Sequence, residues 1–270
     1  MTKSNKSRHA SWLLASVMSI TLVACGGGGG SEPATEQPPT VPVQPPVTDT
    51  NAYTEVRFLS QATFGPTPAS IKQVQDQGLE TWFVNQLNMP ATLHLDDVLT
   101  VFPNGDFRDI EQNEPIYRNA ATNSFWQKAI TADDQLRQRM AFALSQIFVV
   151  SDSGALLKTP TIVAAYMDTL TNNALGNYRD LLEQVTYSPA MGIYLTYMKN
   201  EKADPITGQV PDENYARELM QLFTIGLVQL NLDGTPVMSN GEAVETYTNQ
   251  DITEIAKVFT GLSFDGEFFK

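Results

Sequence analysis

The chain has 270 residues, and its 30 acidic against 17 basic side chains give a formal net charge of -13 at pH 7. This acidic balance disfavours nucleic acid and anionic lipid surfaces as partners. One cysteine and two histidines exclude an intramolecular disulfide and a multi-histidine zinc site within the sequence.

Residues 1–24 have the pattern of an export signal that ends at the only cysteine. Three basic residues stand near the start, and residues 12–23 form an apolar stretch too short to span a bilayer. Ala24 then precedes Cys25, and the whole pattern resembles the lipobox of bacterial lipoproteins. The resemblance implies that Cys25 becomes an acylated N-terminus, which anchors the protein to a membrane without spanning it.

The residue after the cysteine bears on which membrane is concerned. An aspartate at this position favours retention in the inner membrane of two-membrane bacteria, whereas this chain has Gly26. The lipoprotein resemblance therefore points to the outer membrane. The alternative is an ordinary signal peptide with a chance cysteine.

Residues 25–50 are rich in glycine and proline and cannot bury a core, which predicts a solvated, semi-extended tether. Residues 51–270 carry apolar side chains at helical spacing, and we expect a single all-α, multi-helical domain there. Thr67 and Pro68 are typical of the cap and first turn of a helix that Gly78 ends. Further helices are expected at residues 54–63, 80–87, 116–130, 136–148, 161–171 and 178–186.

In the helix at 136–148, two aspartates at the start match the helix dipole. Its expected buried stripe comprises Leu136, Met140, Ala143, Leu144, Ile147 and Phe148. Once residues 1–24 are removed, His94 is the only histidine left, which excludes a Cys–His catalytic pair. Its setting in the sequence TLHLD favours a surface or capping position over a lone catalytic base.

Residues 211–226, PDENYARELMQLFTIG, predict an amphipathic helix that Asp212 caps and Gly226 ends. Its apolar face is expected to hold Tyr215, Leu219, Leu222 and Phe223. Four polar residues, which we call the polar stripe, fall on the opposite side at helical spacing: Asn214, Arg217, Glu218 and Gln221.

Residues 228–246 depart from the helical pattern, because Asp233-Gly234 and Asn240-Gly241 are turn signals between short apolar pieces. We expect a small β-hairpin or an irregular loop. The acidic and amide residues at 231–242 are loosely similar to a calcium loop, but they lack the ligand order that such a loop requires.

Residues 247–262, YTNQDITEIAKVFTGL, predict another helix, with Thr248 and Asp251 spaced as a capping box and Gly261 as its end. Its expected buried stripe comprises Ile252, Ile255, Ala256 and Phe259.

Four blocks in this order resemble the bacterial family called domain of unknown function 1800: residues 57–67, 177–195, 211–226 and 247–262. The resemblance implies a helical, exported protein, often encoded beside a second exported protein of sulfatase-like relationship, and it implies no known reaction. Two positions depart from the family, with Asp212 in place of asparagine and Gln221 in place of glutamate. The family usually continues into a stretch with a His-Asp pair, so the chain is expected to be truncated at its C-terminal end.

Two functions remain open from the residues. The first is a binding or assembly module for another exported protein, such as the co-encoded one, or for an envelope polymer, with the polar stripe as its binding surface. A structural interpretation of the same stripe is an exposed helix face with an ion pair between Glu213 and Arg217.

The second function is a hydrolase of an envelope glycan, ester or sulfated polymer. Glu218 and Asp251 would form its carboxylate pair, and Arg217 would hold an anionic group. Against this, helix capping explains Asp251 and ion pairing explains Glu218. No cofactor and no tightly held metal are expected; a metal at Glu218 would be calcium or magnesium sooner than zinc.

Overall fold

A computed structural model describes residues 52–102 and 119–263 of the chain. These residues form a predominantly helical fold with one small two-stranded sheet, which confirms the all-α prediction. The expected signal and tether lie outside the described residues, as does the start of the helix expected at 116–130. None of the described helices has the length and apolar character needed to cross a membrane.

The helices of the first half are α1 (Ala52–Ala62), α2 (Pro68–Gln77), α3 (Leu79–Asn88), α4 (Leu95–Val101), α5 (Ala120–Thr131) and α6 (Gln135–Ser145). A short 3-10 helix lies at Gly154–Leu156. It is followed by α7 (Pro160–Asn173), α8 (Tyr178–Thr186), α9 (Pro189–Tyr194), α10 (Asn214–Gln221), β1 (Met238–Ser239), β2 (Glu242–Ala243) and α11 (Asn249–Val258).

Helix α7 lies at the centre of the main hydrophobic core. It begins with Pro160, whose fixed backbone angle suits the first turn of a helix. It packs against α4, α5, α6, α8 and α9, and Val163, Ala164 and Leu170 are buried on it. The buried Tyr166 satisfies its hydroxyl by donating to the carbonyl of Phe148 at 2.7 Å. Five of the described helices are therefore organised around α7.

A second, smaller cluster joins α1, α2 and α3 to the start of α6, through Leu59, Val74, Trp82 and Leu136. The predicted cap of α2 is confirmed, since the Thr67 hydroxyl accepts the backbone N–H of Ser70 in a capping box. Gly78 ends α2 and begins α3 at φ +82°, a left-handed conformation that glycine adopts without strain.

The predicted stripe of α6 is wrong at three positions, because Met140, Ala143 and Ile147 are exposed and the helix ends at Ser145. The buried face instead includes a polar residue, Gln138. Its side-chain amide donates to the carbonyl of Thr92 at 2.8 Å, so burial leaves the amide N–H satisfied.

Helices α10 and α11 pack together through a third cluster of Ala216, Ile252 and Ala256. Between them, β1 and β2 pair antiparallel around Asn240-Gly241, which confirms the expected hairpin. Helix α10 ends at Gln221, before the predicted Gly226, so Leu222 is 60% exposed and the predicted apolar face is wrong there.

The two ends of this region differ in how well they were predicted. Glu213, one residue after Asp212, occupies the N-cap position of α10, although the Asp212 carboxylate still accepts the N–H of Asn214 at 2.8 Å. The capping box of α11 is confirmed at Thr248 and Asp251. Gly261, at φ +83°, lies beyond the end of α11 at Val258.

Candidate functional site

The polar stripe lies on α10, with Asn214, Arg217 and Gln221 exposed and Glu218 half-buried. The Arg217 guanidinium donates to the Glu213 carboxylate at 2.7 Å, which is the i,i+4 ion pair that the sequence indicates. It also donates to Oδ1 of Asn249 at 2.9 Å, in the first turn of α11. Arg217 is therefore engaged across a helix–helix contact.

Glu213 completes this contact from the other direction, because its second carboxylate oxygen accepts the Thr253 hydroxyl at 2.9 Å. We call the four side chains that join α10 to α11, Glu213, Arg217, Asn249 and Thr253, the α10–α11 clamp. The positive charge of Arg217 is already paired with the Glu213 carboxylate, so an anion held by Arg217 would compete with that ion pair. The clamp therefore favours a structural role for Arg217 over an anion-binding one.

The proposed carboxylate pair is not joined by a hydrogen bond in the described residues. The Asp251 carboxylate accepts the N–H and the hydroxyl of Thr248, both at 2.8 Å. These bonds hold the pKa of Asp251 below its usual range, because they favour the ionised form. An ionised carboxylate suits a base or nucleophile and not a proton donor at neutral pH.

Glu218 differs from Asp251 in its hydrogen bonding. Its Oε2 is buried and has no hydrogen-bond partner within the described residues. Buried polar atoms are nearly always paired, so this oxygen is an unsatisfied acceptor beside the clamp. No group of three or more His, Cys, Asp or Glu side chains in residues 52–102 and 119–263 is placed to hold a metal ion.

A loop that sequence reasoning missed braces the start of α10. The side-chain amide of the buried Asn200 makes two hydrogen bonds to the backbone of Asp212: its NH2 donates to the Asp212 carbonyl at 3.1 Å, and its oxygen accepts the Asp212 N–H at 2.8 Å. The Thr196 hydroxyl donates to the Asp212 carboxylate at 3.0 Å. Thr196 and Lys199 adopt φ +63° and +62°. Such conformations cost about 1–3 kcal/mol each outside glycine, and no residue type in this loop signals them.

A buried polar network around His94 was also missed. Of the two positions expected for His94, the surface one is wrong, because the side chain is 2% exposed, and the capping one agrees with its N-cap position in α4, although its side chain makes no cap hydrogen bond. Its Nδ1 lies 3.1 Å from the Ser124 hydroxyl, which donates to Asp97 at 2.6 Å. Lys128 pairs with the same Asp97 oxygen at 2.8 Å. Because the serine hydrogen is used on Asp97, Nδ1 of His94 carries a proton and donates.

The order of this network differs from a hydrolytic triad, in which histidine stands between serine and aspartate. Burial, followed by the nearby Lys128 charge, lowers the pKa of His94 to about 4, so the imidazole is neutral at pH 7. Burial opposes the charge on Asp97, but hydrogen bonds from Lys128 and Ser124 outweigh it and lower its pKa. The network therefore has a structural role: its hydrogen bonds and ion pair join α4 to α5.

Exposed apolar side chains concentrate after α10. Six of them, each more than half exposed, form what we call the hairpin surface: Leu222, Ile225, Leu227, Leu230, Leu232 and Met238. Backbone hydrogen bonds join this segment, since Gln229 donates to the carbonyl of Val244 and accepts the N–H of Val237, both at 2.8 Å. Concentrated apolar exposure of this kind marks interaction sites more often than isolated exposed residues do.

Comparison with known proteins gives one family. No curated protein and no solved structure has a significant match to the chain. The family described as protein of unknown function (DUF1800) matches residues 57–270, which span α1 to α11 and include the clamp, the His94 network and the hairpin surface. The chain therefore belongs to the DUF1800 family.

Proposed function

We propose that this chain is an envelope-anchored module that binds another exported protein through the hairpin surface. The observation that carries the proposal is the run of six largely exposed apolar side chains between Leu222 and Met238. Fully burying a leucine side chain is worth about 1.5–3 kcal/mol, so burying the exposed parts of several of these residues would make a large apolar contribution against the cost of association.

The charges of this segment indicate the partner's chemistry. Residues 222–246 contain Asp233, Glu242 and Glu245, all exposed, and no lysine or arginine. Hydrogen bonds from Thr235 lower the pKa of Asp233, which keeps that carboxylate ionised. The complementary surface is an apolar patch with a basic rim, and the attraction would weaken in salt.

The location in the proposal rests on the N-terminal pattern. Acylation at Cys25 would attach the domain to the outer membrane, and the tether would let it reach a partner away from the bilayer. The second protein that is often encoded beside members of this family is a natural candidate for the partner. Nucleic acid remains disfavoured by the net charge.

The test is a pull-down from detergent-solubilised native membranes with the intact tagged chain, a Leu230→Asp/Leu232→Asp variant and a matched Val84→Asp control. Val84 is an exposed apolar residue on α3, outside the hairpin surface. We expect one stoichiometric protein that the double variant loses and the control keeps, with binding that is weaker but not abolished in high salt because only the charged rim is screened. A partner that all three bind equally, or no stoichiometric partner, would overturn the proposal.

Hydrolysis remains a second proposal because of Glu218, whose unpaired buried oxygen is the kind of group that a substrate could satisfy. Its weakness is the ionised, cap-engaged Asp251. Glu218→Gln keeps the shape and removes the charge, so it should abolish turnover of any glycan, ester or sulfated substrate found by screening. Turnover that survives this substitution would exclude the carboxylate-pair mechanism.

A further inference from the structure

A groove at the opposite end of the sequence from the hairpin surface carries a binding function of its own. It has a volume of about 830 Å³ and lies between the loop that follows α1 and the junction of α5 with α6. Small-molecule sites in proteins span about 300–1,000 Å³ and combine an apolar floor with a few polar groups. The groove has both the size and the composition of such a site.

The exposed side of the groove is aromatic and apolar. Trp126, which is 58% exposed, and Ile130, which is 78% exposed, stand one turn apart on α5 at the groove. Trp126 has an edge-on contact with Phe125, with ring centroids 5.1 Å apart, and Phe125 contacts Phe64 in the same way at 5.8 Å. An exposed indole with a ring contact on one side offers a flat apolar face to a ligand.

The walls are held by hydrogen bonds that a ligand would not need to break. The Gln135 amide donates to the carbonyl of Ala132 at 2.9 Å and closes the end of α5. The Gln86 side chain joins α3 to the start of α6: its NH2 donates to the carbonyl of Asp133 at 2.8 Å, and its oxygen accepts the N–H of Leu136 at 3.0 Å. The groove is therefore preformed.

Two side chains remain available to a ligand. Gln73 and Asp133 line the groove, are exposed, and have no side-chain hydrogen-bond partner within the described residues. Asp133 is also the only charged residue among the described residues that line it. No described residue that lines the groove is cationic, and the nearby Arg139 guanidinium stacks on the Phe64 and Phe142 rings at 5.5 and 5.4 Å. An anionic ligand therefore gains little attraction in the groove, and one carboxylate is a weak attraction for a polycation. The ligand that fits is uncharged.

We propose that this groove binds a neutral oligosaccharide. A sugar ring has a face of C–H groups that can stack on Trp126 and a rim of hydroxyls that both donate and accept. The Gln73 amide also donates and accepts, and the Asp133 carboxylate accepts, so the two match the hydroxyl rim. A proline-rich peptide is the rival occupant, since aromatic grooves bind such segments, but proline offers carbonyl acceptors and no N–H for Asp133.

The tryptophans make the groove directly observable. The chain has three tryptophans, Trp12, Trp82 and Trp126, and the last two both line the groove. Trp12 lies in the expected signal, so in the mature chain or in a Trp12→Phe background tryptophan fluorescence comes from the buried Trp82 and the exposed Trp126. The probes are neutral tetrasaccharides of glucose, xylose, mannose and N-acetylglucosamine, with a proline decamer as the rival and a sulfated tetrasaccharide as the anionic comparison.

We expect saturable fluorescence change with at least one neutral tetrasaccharide and none with the sulfated one. Calorimetry should show binding weakened by about tenfold or more in Trp126→Ala and largely retained in Trp126→Phe, which keeps a flat ring. Tyr187→Ala, which removes another exposed aromatic residue outside the groove, should leave binding unchanged. The proposal is wrong if no neutral tetrasaccharide binds at millimolar concentration, if Trp126→Ala binds normally, or if only the proline decamer binds.

Discussion

At the scale of single residues, Asp168 has the widest structural effect. It is buried on α7, and its two carboxylate oxygens accept the N–H groups of His94 at 2.5 Å and Leu95 at 3.1 Å. These are the N-terminal donors of α4, which otherwise has no side-chain cap. Burial raises the pKa of Asp168, although both backbone hydrogen bonds act in the opposite direction. One side chain thus supplies the cap of a helix distant in sequence.

Replacing Asp168 by asparagine should therefore destabilise the fold. One of the two N–H groups would face the side-chain NH2 instead of an oxygen, and a buried unsatisfied donor costs about 1–3 kcal/mol. The free energy of unfolding, measured by urea denaturation, should fall by that amount. Asp96→Asn is the matched control, because Asp96 is exposed in the first turn of the same helix and should matter by less than about 1 kcal/mol. Equal effects of the two substitutions would contradict the capping role.

His94 predicts a pH dependence of stability. Its pKa is about 4 in the folded state against 6.5 in the unfolded state, so the unfolded chain takes up the proton first as the pH falls. Stability is full above pH 6.5, declines by up to about 1.4 kcal/mol per pH unit between 6.5 and 4, and stops declining below. The lowered pKa of Asp97 acts only below this window, and the raised pKa of Asp168 acts in the opposite sense.

The measurement is the free energy of unfolding at a series of pH values from 7 to 4, for the natural chain and His94→Gln. The glutamine variant should be less stable at pH 7 but should show a flatter profile between 6.5 and 4. A variant profile parallel to the natural one would mean that other groups produce the slope.

At the scale of secondary structure, the sequence indicated those elements whose signals are local. The cap at Thr67 and the capping box at Thr248 involve residues three positions apart, so the cap and the box were predicted. The hairpin turn is set by Asn240-Gly241, and a hairpin was one of the two structures expected there. Helices α4 and α9 were missed because they have seven and six residues, too few for an apolar period to show.

The contacts of the candidate site also fall into two groups: those within one helix, which the sequence indicated, and those between helices, which it did not. The Glu213–Arg217 pair follows from spacing within one helix, but its bonds to Asn249 and Thr253 depend on how α10 meets α11. The groove at Trp126 depends on three separate stretches of chain, and no motif marks any of them. Tertiary arrangement, which one sequence does not display, created both features.

The clamp predicts a measurable coupling energy. A double-mutant cycle with Glu213→Gln and Arg217→Met should give a coupling of less than about 1 kcal/mol, because both side chains are partly solvated. The comparison is the Lys72–Asp76 pair on α2, which has the same i,i+4 spacing, is more exposed and has no side-chain hydrogen bond to a second helix within the described residues. The clamp pair should have the larger coupling. A smaller one would show that the cross-helix bonds contribute nothing.

At the scale of the whole molecule, the two proposed binding surfaces are formed by different elements of the fold. The hairpin surface and the Trp126 groove share no residue, and neither includes α7. Together with the lipid attachment that we propose, two separate contact surfaces would allow the protein to bring two envelope components together. This arrangement agrees with a binding or assembly role, and the tests of the two surfaces are independent of each other.

Attachment itself gives a prediction. Cells fed labelled palmitate should incorporate the label into the natural chain and not into Cys25→Ala, because this is the only thiol in the sequence. Gly26→Asp is the matched variant: it should keep the label but move the protein from the outer to the inner membrane fraction. Label that persists in Cys25→Ala would refute lipidation, and an unmoved Gly26→Asp would refute the outer-membrane assignment.

The hydrogen bonds between Asp168 and α4 also determine when the cap of α4 can form during synthesis of the chain. The carboxylate that completes α4 lies 74 residues further along the chain than the N–H it accepts from His94. A chain that emerges from its N-terminus has made the whole of α4 long before Asp168 arrives, whereas the Thr67 cap of α2 is complete within three residues. Closing so long a loop is entropically slow. Helix α4 therefore cannot acquire its native N-terminal hydrogen bonds until residue 168 has been made, whereas α2 is capped from within its own first turn.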